Sequence, residues 1–333
     1  MNATRNPDES GIEAYSLGEK VKLRATRWLK FLLIPGFRAR ELSRAEYVID
    51  QTKSRRKFLR RLLNPLTMFG FALILVVITM AVFAPWLTPY TFDQLAVETS
   101  PNAWGAPSDA HPFGQAQFGW DVRGRMIWGA RSSLTLGLSA ISISLALGIV
   151  LGIVSAYFGG IIDSIIMRIM DVLMSFPGLI LAIIFVYIWG ATMDNIMLAY
   201  GILGIPSYAR LIRGSTLQIK QNIYIEAARA SGASNFKIMF KHILPNAISP
   251  VIVMLTFDVG GIILSLAGLS FLGFYDPKLI EWGNDISKGR NRLNIAPWAS
   301  LIPGFMIFIT VLGFMLVGDG LRDALDPRLK NLT

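Results

Sequence analysis

QNIYIEAARASGASNFKIMFKHILPN, residues 221–246, is a short polar stretch that separates two hydrophobic parts of the chain. Its pattern predicts a helix, a turn at Gly232 and a second helix. Asn222 is a candidate N-cap of the first helix, and Ser234 of the second. Pro245 cannot continue a helix, so the next hydrophobic helix is expected to start there. Such a segment gives a bundle of membrane helices a rigid element that a soluble partner can push.

The second helix is expected to hold this segment onto the rest of the protein. Lys237 and Lys241 lie off its apolar face and are expected to point toward phosphates or an acidic partner. An ordinary amphipathic loop is the alternative interpretation. The apolar residues that recur at the spacing of one helix face are Phe236, Met239, Phe240 and Ile243.

Composition places the chain among membrane proteins. Of its 333 residues, 53% are hydrophobic and 16% are charged, whereas soluble domains average about 25% charged residues. The chain has no cysteine and two histidines, which excludes disulfides and thiolate metal sites and leaves too few ligands for a zinc site. Most of the formal charge of +10 lies in residues 1–65, which hold 15 Lys or Arg against 7 Asp or Glu. A basic flank beside a membrane accounts for this charge, so nucleic-acid binding is not expected.

Six segments are apolar enough to cross a bilayer, where the absence of water requires helices of about 20 residues. The fourth is the shortest, and Pro177-Gly178 predicts a kink in the third. Flanking Lys and Arg number 25 on one side and 7 on the other, which places both termini in the cytoplasm. The predicted fold is an all-α polytopic membrane protein. The predicted spans are about 66–86, 132–157, 163–189, 195–209, 247–274 and 298–318.

The spans divide the chain into five regions. Residues 47–63, just before the first span, also form a candidate basic amphipathic helix. The regions are a cytoplasmic basic segment 1–65, a first transmembrane helix 66–86, an extracytoplasmic loop 87–130, a five-helix core 131–320 with a cytoplasmic coupling loop 213–245, and a cytoplasmic tail 321–333.

Several motifs in a fixed order make the chain resemble the permeases of ATP-binding-cassette (ABC) importers, in their dipeptide/oligopeptide (nickel) branch. Glu226-Ala227-Ala228, followed by Gly232, resembles the EAA loop of these permeases. The resemblance covers about residues 55–330 and is closer to the second permease subunit of the heterodimer. The further motifs are HPFG at 111–114, GWDV at 119–122, GARSSL at 129–134, YFGG at 157–160, ARLIRG at 209–214, HILPN at 242–246, GLSFLG at 268–273 and GDGLRDALDPR at 318–328.

The resemblance implies a type I importer permease (MetI-like) fold in the cytoplasmic membrane, surrounded by lipid, that forms half of a pore. It also implies a homologous second permease subunit, two ABC ATPase subunits and an extracytoplasmic substrate-binding protein as partners. The residues that it implies for coupling to the ATPase are Glu226, Ala227, Ala228, Arg229, Gly232, Ala233, Phe236 and Lys237.

Charged residues at membrane depth are costly and become candidates for the translocation path. Asp258 lies in the middle of the fifth span and would suit the ammonium group of a peptide; a structural hydrogen bond is the alternative. Arg168 and Asp171, three residues apart, are further candidates, although a simple pair near the inner interface is also expected of them. Gly148 and Gly152 form a G-x-x-x-G that predicts close helix packing.

No catalytic residue, cofactor or metal site is expected in this chain. The phosphate-binding motif G-x-x-x-x-G-K-[ST] is absent, so ATP–Mg is expected on partner subunits. Peptides are the expected cargo, but the same branch also moves oligosaccharides, nickel and other small solutes. A secondary transporter or channel would predict inverted repeats and more midplane charge, and a membrane enzyme would need a clustered set of catalytic groups. The sequence shows none of these features.

Overall fold

The computed structural model describes residues 62–96 and 102–325. In these ranges the chain is almost wholly helical, and its β structure is one isolated bridge between Gln115 and Asp121. The prediction of an all-α protein is confirmed. Most of the basic segment 1–65, the candidate helix 47–63 and the end of the tail 321–333 lie outside the described residues.

The helices are numbered here in chain order. A π-helical segment, Ile238–Ile243, joins α9 to α10. The helices are α1 Pro65–Val82, α2 Ala84–Leu87, α3 Phe92–Ala96, α4 Val122–Phe158, α5 Gly160–Met174, α6 Gly178–Trp189, α7 Met193–Lys220, α8 Ile223–Ala230, α9 Asn235–Lys237, α10 Leu244–Ala247, α11 Ser249–Phe271, α12 Trp282–Gly289 and α13 Trp298–Leu325.

Four of the described helices, α1, α4, α11 and α13, are long and apolar enough to cross a membrane. Helices α5 and α6 form a fifth span if they are taken as one, but their axes meet at 89°. The break falls at Pro177, which lies just before α6 and cannot donate a helical hydrogen bond. The kink predicted at this position is therefore present, and it is a full break between two helices.

The predicted fourth span, 195–209, lies inside α7. This helix is continuous, but it is too polar to meet the same criterion of length and composition. The structure thus supports four or five apolar spans, where the sequence predicted six. Helix α7 nevertheless belongs to the bundle, because its contact with α4 is the most extensive between any two described helices.

Glycines allow α4 and α7 to pack closely. A Cβ atom at Gly152 would lie 2.2 Å from Cγ2 of Ile212 and 2.3 Å from the carbonyl oxygen of Ala209. A Cβ atom at Gly148 would lie 2.5 Å from Cβ of Tyr208. Such distances are far below van der Waals contact, so only glycine fits. The close packing predicted from G-x-x-x-G is confirmed.

Buried charges close the end of the bundle at which α4 begins, here called the cap end. Arg125 and Asp285 are 2% and 5% exposed, and the Arg125 Nε atom donates to Asp285 Oδ1 at 2.8 Å. The Arg125 guanidinium carbon lies 4.3 Å from the centroid of the Trp120 ring. Trp282, fully buried, donates from Nε1 to the carbonyl oxygen of Met126 at 3.0 Å. These contacts fix α12 against the first turns of α4.

Two further ionisable groups at the cap end have shifted pKa values. The Lys288 Nζ atom lies 4.9 Å from the Trp120 ring centroid. Burial, together with the nearby Arg125 guanidinium, lowers the pKa of Lys288 to about 8, although Asp285 opposes this. Glu281 caps α12 by accepting backbone N–H bonds at 2.9 Å, and its burial raises its pKa.

Candidate functional site

Helix α8 forms the first half of the coupling segment, residues 221–246. Its N-cap is Asn222, as predicted, with an extended backbone (φ −77°, ψ 140°), but the Asn222 side chain makes no capping hydrogen bond. Glu226 is exposed in the first turn, where a carboxylate interacts favourably with the positive end of the helix dipole. Ile225 is the buried residue of α8, so the remaining side chains face outward or sideways.

Gly232 makes the predicted turn between the two halves of the coupling segment. Its φ is +80°, a left-handed conformation that L side chains rarely adopt. The Ala233 N–H donates to the Ala228 carbonyl oxygen at 3.1 Å and so closes the end of α8. Ser234 then caps α9 by accepting a bond from the Lys237 N–H at 3.4 Å. The predicted order of helix, turn and second helix is confirmed.

The buried face of the second half differs from the predicted one. Phe236 is 69% exposed, whereas Ile238, Met239 and Ile243 are buried. Residues 238–243 form a π-helix, whose i→i+5 bonds give more residues per turn than an α-helix and shift which residues share a face. The prediction that Phe236 belongs to the buried face is wrong for this reason.

Apolar contacts attach the coupling segment to the bundle. Ile225, Ile238 and Ile243 join one cluster with Ile153 of α4 and Ile212 of α7, and each is at most 1% exposed. Burial of one such side chain stabilises by about 1.5–3 kcal/mol. The coupling segment is therefore a fixed part of the bundle, at the end where α4 terminates, here called the coupling end.

The other side of the coupling segment is exposed and chemically mixed. Ile223, Tyr224 and Phe236 are 82%, 45% and 69% exposed, and they lie beside charged side chains. Large apolar groups next to small alanines suit a surface that a partner covers. Of the residues predicted to couple, Glu226, Ala227, Arg229, Gly232, Phe236 and Lys237 are exposed, and Ala228 and Ala233 are partly buried.

Polar contacts around Tyr157 tie the coupling segment to the last turn of α4. The Tyr157 hydroxyl donates to Asn235 Oδ1 at 2.7 Å, and the Arg229 guanidinium carbon lies 5.8 Å from the ring centroid. Lys220 Nζ donates to the carbonyl oxygens of Tyr157 and Ala156 at 2.6 and 3.2 Å. Sequence reasoning missed these contacts, although the tyrosine belongs to the YFGG motif.

A cavity of about 440 Å³ lies farther along the bundle. Helices α4, α6, α7 and α11 line it, mostly with apolar, glycine and hydroxyl-bearing residues. Its size is within the range of small-molecule sites, about 300–1,000 Å³. Its polar lining residues are Ser144, Tyr200, Ser207, Tyr208, Asp258 and Ser265.

Asp258 is the charged residue among the described residues that line this cavity. The phenol of Tyr208 lies beside the Asp258 carboxyl but makes no hydrogen bond of ordinary geometry with it. Other lining hydroxyls are engaged with the backbone: Tyr200 donates to the Ser265 carbonyl oxygen at 2.9 Å, and Ser144 to that of Gly201 at 2.7 Å. The Asp258 carboxyl therefore lies at the cavity wall, beside Tyr208 of the neighbouring helix α7.

Arg168 and Asp171 do not line the cavity, and they do not pair with each other. Asp171 instead accepts from Arg210 Nη2 of α7 at 2.7 Å, while Arg168 is exposed. The pairing expected from their three-residue spacing is therefore wrong. Asp171 is paired with Arg210 on the neighbouring helix α7, and not with Arg168 on its own helix.

A second ion pair, which sequence reasoning did not predict, joins three helices near the coupling end. Arg213 of α7 donates from Nε and Nη2 to the two carboxylate oxygens of Asp163 of α5, at 2.7 and 2.6 Å. The Ser155 hydroxyl of α4 donates to the same carboxylate. Opposite charges at the inner ends of adjacent spans are the sequence signal that would have indicated this contact.

The described residues contain no group of three or more His, Asp or Glu side chains placed to hold a metal ion. The arrangement instead combines an exposed, firmly attached helix with a cavity in the apolar bundle.

Comparison with known families identifies two matching regions. Residues 148–331 match the family described as binding-protein-dependent transport system inner membrane component. Residues 54–104 match the N-terminal TM domain of oligopeptide transport permease C. The first match includes α7, the coupling segment and Asp258.

Individual relatives cover most of the chain. The dipeptide transport system permease protein DppC of Alkalihalophilus pseudofirmus is 41% identical over 80% of this chain and 88% of its own length. The glutathione transport system permease proteins GsiD of Pectobacterium atrosepticum and Escherichia coli are each 42% identical, over 83% and 77% of this chain and 92% and 84% of their own lengths. A solved amino acid ABC transporter is 18% identical, covers 59% of this chain and 92% of that chain, and has a TM-score of 0.47, so the assignment rests on the sequence relatives.

Proposed function

Because this chain belongs to the binding-protein-dependent transport system inner membrane components, the permease subunits of ABC importers, we propose that it forms half of the translocation path of a peptide importer. The observation that carries the proposal is the coupling segment, which is anchored on one side by buried isoleucines and exposed on the other. A helix that is attached to the bundle on one face and exposed on the other can transmit a displacement from a soluble partner to the membrane helices.

The proposed partners are a homologous second permease subunit, two ABC ATPase subunits and an extracytoplasmic binding protein. The permease is not itself catalytic, and in this proposal the ATPase subunits bind and hydrolyse ATP–Mg. Closure of the ATPase pair would move two coupling segments together and favour one of two states of the bundle. Nucleotide shifts the equilibrium by its differential contact with those states.

We place the subunit in the cytoplasmic membrane with both termini in the cytoplasm. The excess of Lys and Arg on the side of the coupling segment supports this orientation. A soluble ATPase in the cytoplasm then reaches Glu226 and its neighbours directly. Family membership disfavours a self-sufficient secondary transporter, a channel or a membrane enzyme.

The proposed cargo is a short peptide. Relatives named for dipeptides and for glutathione, which is itself a short peptide, support this class over the oligosaccharides, nickel and other solutes moved by the same branch. A cavity of about 440 Å³ with one carboxylate suits a cargo that carries an ammonium group. We keep Asp258 in the proposed path and assign Asp171 a structural role with Arg210.

The coupling role is tested by Glu226→Lys in the complete complex reconstituted in liposomes. Charge reversal in the proposed interface should weaken docking of the ATPase subunits. Either the amount of ATPase that co-purifies with the permease, or the ATPase activity stimulated by the binding protein, should fall by at least about tenfold. Asp194→Lys is the matched control, because Asp194 is also an exposed acid in the first turn of a helix, at the opposite end of α7. Normal assembly, stimulation and uptake with Glu226→Lys would show that the segment does not dock the ATPase.

A second variant tests the shape of the same surface. Gly232→Trp places a bulky side chain at a φ of +80° on the exposed side of the turn and should uncouple the complex. Gly214→Trp is its control, because Gly214 is an exposed helical glycine with open space around it and no positive φ. Equal uptake by the two variants would contradict the proposal.

The role of Asp258 is tested by uptake of labelled peptides. Asp258→Asn keeps the size of the side chain but removes its charge, so uptake of a peptide with a free ammonium group should fall about tenfold. An N-acetylated peptide should lose this sensitivity. Asp171→Asn, outside the cavity, is the control. Equal uptake and equal expression of Asp258→Asn and the parent would remove Asp258 from the path.

A further inference from the structure

Tyr157 occupies the place where the cavity-lining helix α4 meets the coupling segment. It is the penultimate residue of α4 and is 6% exposed. Gly159, at φ +69°, is the one residue between α4 and α5. The position is thus a junction between two functional regions.

Three residues within or directly before the coupling segment contact Tyr157. Lys220, just before α8, donates to its carbonyl oxygen at 2.6 Å. Arg229, on α8, lies 5.8 Å from its ring, and Asn235, just after α8, accepts a bond from its hydroxyl at 2.7 Å. The contacts to Tyr157 therefore come from residues before, within and after α8 in the sequence.

These polar contacts restrict a helix that has few other restraints. Helix α8 has eight residues, and Ile225 is the one that is fully buried. Contacts to Tyr157 lie on both sides of Ile225 in the sequence and add polar restraints to the apolar contacts between α8 and the end of α4.

The same α4 reaches the cavity. Ile141 and Ser144 of α4 belong to the cavity lining. Ser144 is 13 residues from Tyr157, about 20 Å along a helix at a rise of 1.5 Å per residue. A continuous helix is stiff over this distance, so a displacement at its end reaches the cavity wall.

We propose that Tyr157 is a positioning residue that passes displacement of α8 to α4 and hence to the cavity wall. The inference rests on the proposed function, since it assumes that a partner moves α8. It assigns the hydroxyl and the ring separate tasks: the hydroxyl fixes Asn235, and the ring packs beneath Arg229. Within this junction Tyr157 is buried and Lys220 is partly buried, whereas Arg229 and Asn235 are exposed.

The test uses Tyr157→Phe, Asn235→Ala and the double variant in the complete complex in liposomes. Each single variant should lower the number of peptides imported per ATP hydrolysed about fivefold, which corresponds to one hydrogen bond of about 1 kcal/mol. The amount of assembled complex should stay unchanged. Because both variants break the same bond, the double variant should be no worse than either single one.

Tyr187→Phe is the matched control, because it removes an exposed tyrosine hydroxyl on α6, far along the chain from the coupling segment. An unchanged import ratio in Tyr157→Phe, or multiplied losses in the double variant, would overturn the inference. So would a loss of assembled complex in proportion to the loss of import. Glu226→Lys in the same preparation separates the two proposals: if it uncouples while Tyr157→Phe does not, only the role of Tyr157 fails.

Discussion

The two ends of α4 use charged side chains in opposite ways. At the cap end Arg125 is 2% exposed and is paired with the buried Asp285. At the coupling end Glu226 and Lys237 are exposed. A buried ion pair cannot be broken cheaply, and an exposed charge can exchange water for a partner at little cost. The cap end is therefore built to stay in one arrangement, and the coupling end to meet another protein.

The largest effect is expected from breaking the cap end. Arg125→Ala leaves the Asp285 carboxylate buried without its partner and should lower the free energy of unfolding by about 3–5 kcal/mol. Thermal or denaturant unfolding of the subunit in detergent measures this loss. Arg123→Ala is the control, because Arg123 lies two residues away and is exposed. Similar stabilities of the two variants would mean that the cap end does not depend on the buried pair.

A smaller effect is expected near the C-terminal end of α4, where it packs on α7. Gly152→Ala puts a Cβ atom 2.2 Å from Ile212 Cγ2 and 2.3 Å from a backbone oxygen, so the two helices must separate. The expected loss is about 1–3 kcal/mol in the free energy of unfolding, measured as above. Gly214→Ala, with no atom within 4 Å, should instead be neutral or stabilise by up to about 1 kcal/mol. Equal effects of the two alanines would contradict the close packing.

The smallest effect concerns the pH dependence of the cap end. Because burial and Arg125 lower the pKa of Lys288 to about 8, the folded protein loses this proton before the unfolded chain, whose lysines keep theirs to about pH 10.5. Stability should therefore rise between pH 8 and 10.5, relative to Lys288→Met. The full pKa difference corresponds to about 3 kcal/mol, and because Lys288 is only partly buried, solvent screening reduces the expected rise to on the order of 1 kcal/mol. Unfolding of both proteins across this range measures the difference. A constant difference would show that Lys288 titrates normally.

Local patterns in the sequence predicted much of this molecule. The all-α fold, the apolar spans other than the fourth, the turn at Gly232 and the cap at Ser234 follow from spacing, hydropathy and the φ preference of glycine. The close packing at Gly148 and Gly152 followed from their four-residue spacing. The docking role of Glu226 and the cargo role of Asp258 remain predictions that the experiments above test.

Other features were wrongly predicted or missed because they depend on partners distant in sequence. Asp171 pairs with Arg210, 39 residues away, and not with Arg168. Arg125 and Asp285 are 160 residues apart. The π-helical segment shifted the buried face away from Phe236, and no periodicity of 3.6 residues reveals such a change.

The sequence by itself determined which stretches are helical and apolar, where the polar coupling segment lies and which family the chain belongs to. These properties depend on neighbours within a few residues or on a linear order of motifs. Only the tertiary structure decided the 89° break between α5 and α6, the partner of each charge and the junction at Tyr157. Ion pairs and ring contacts act over a few ångströms, so they are fixed only when the helices have packed.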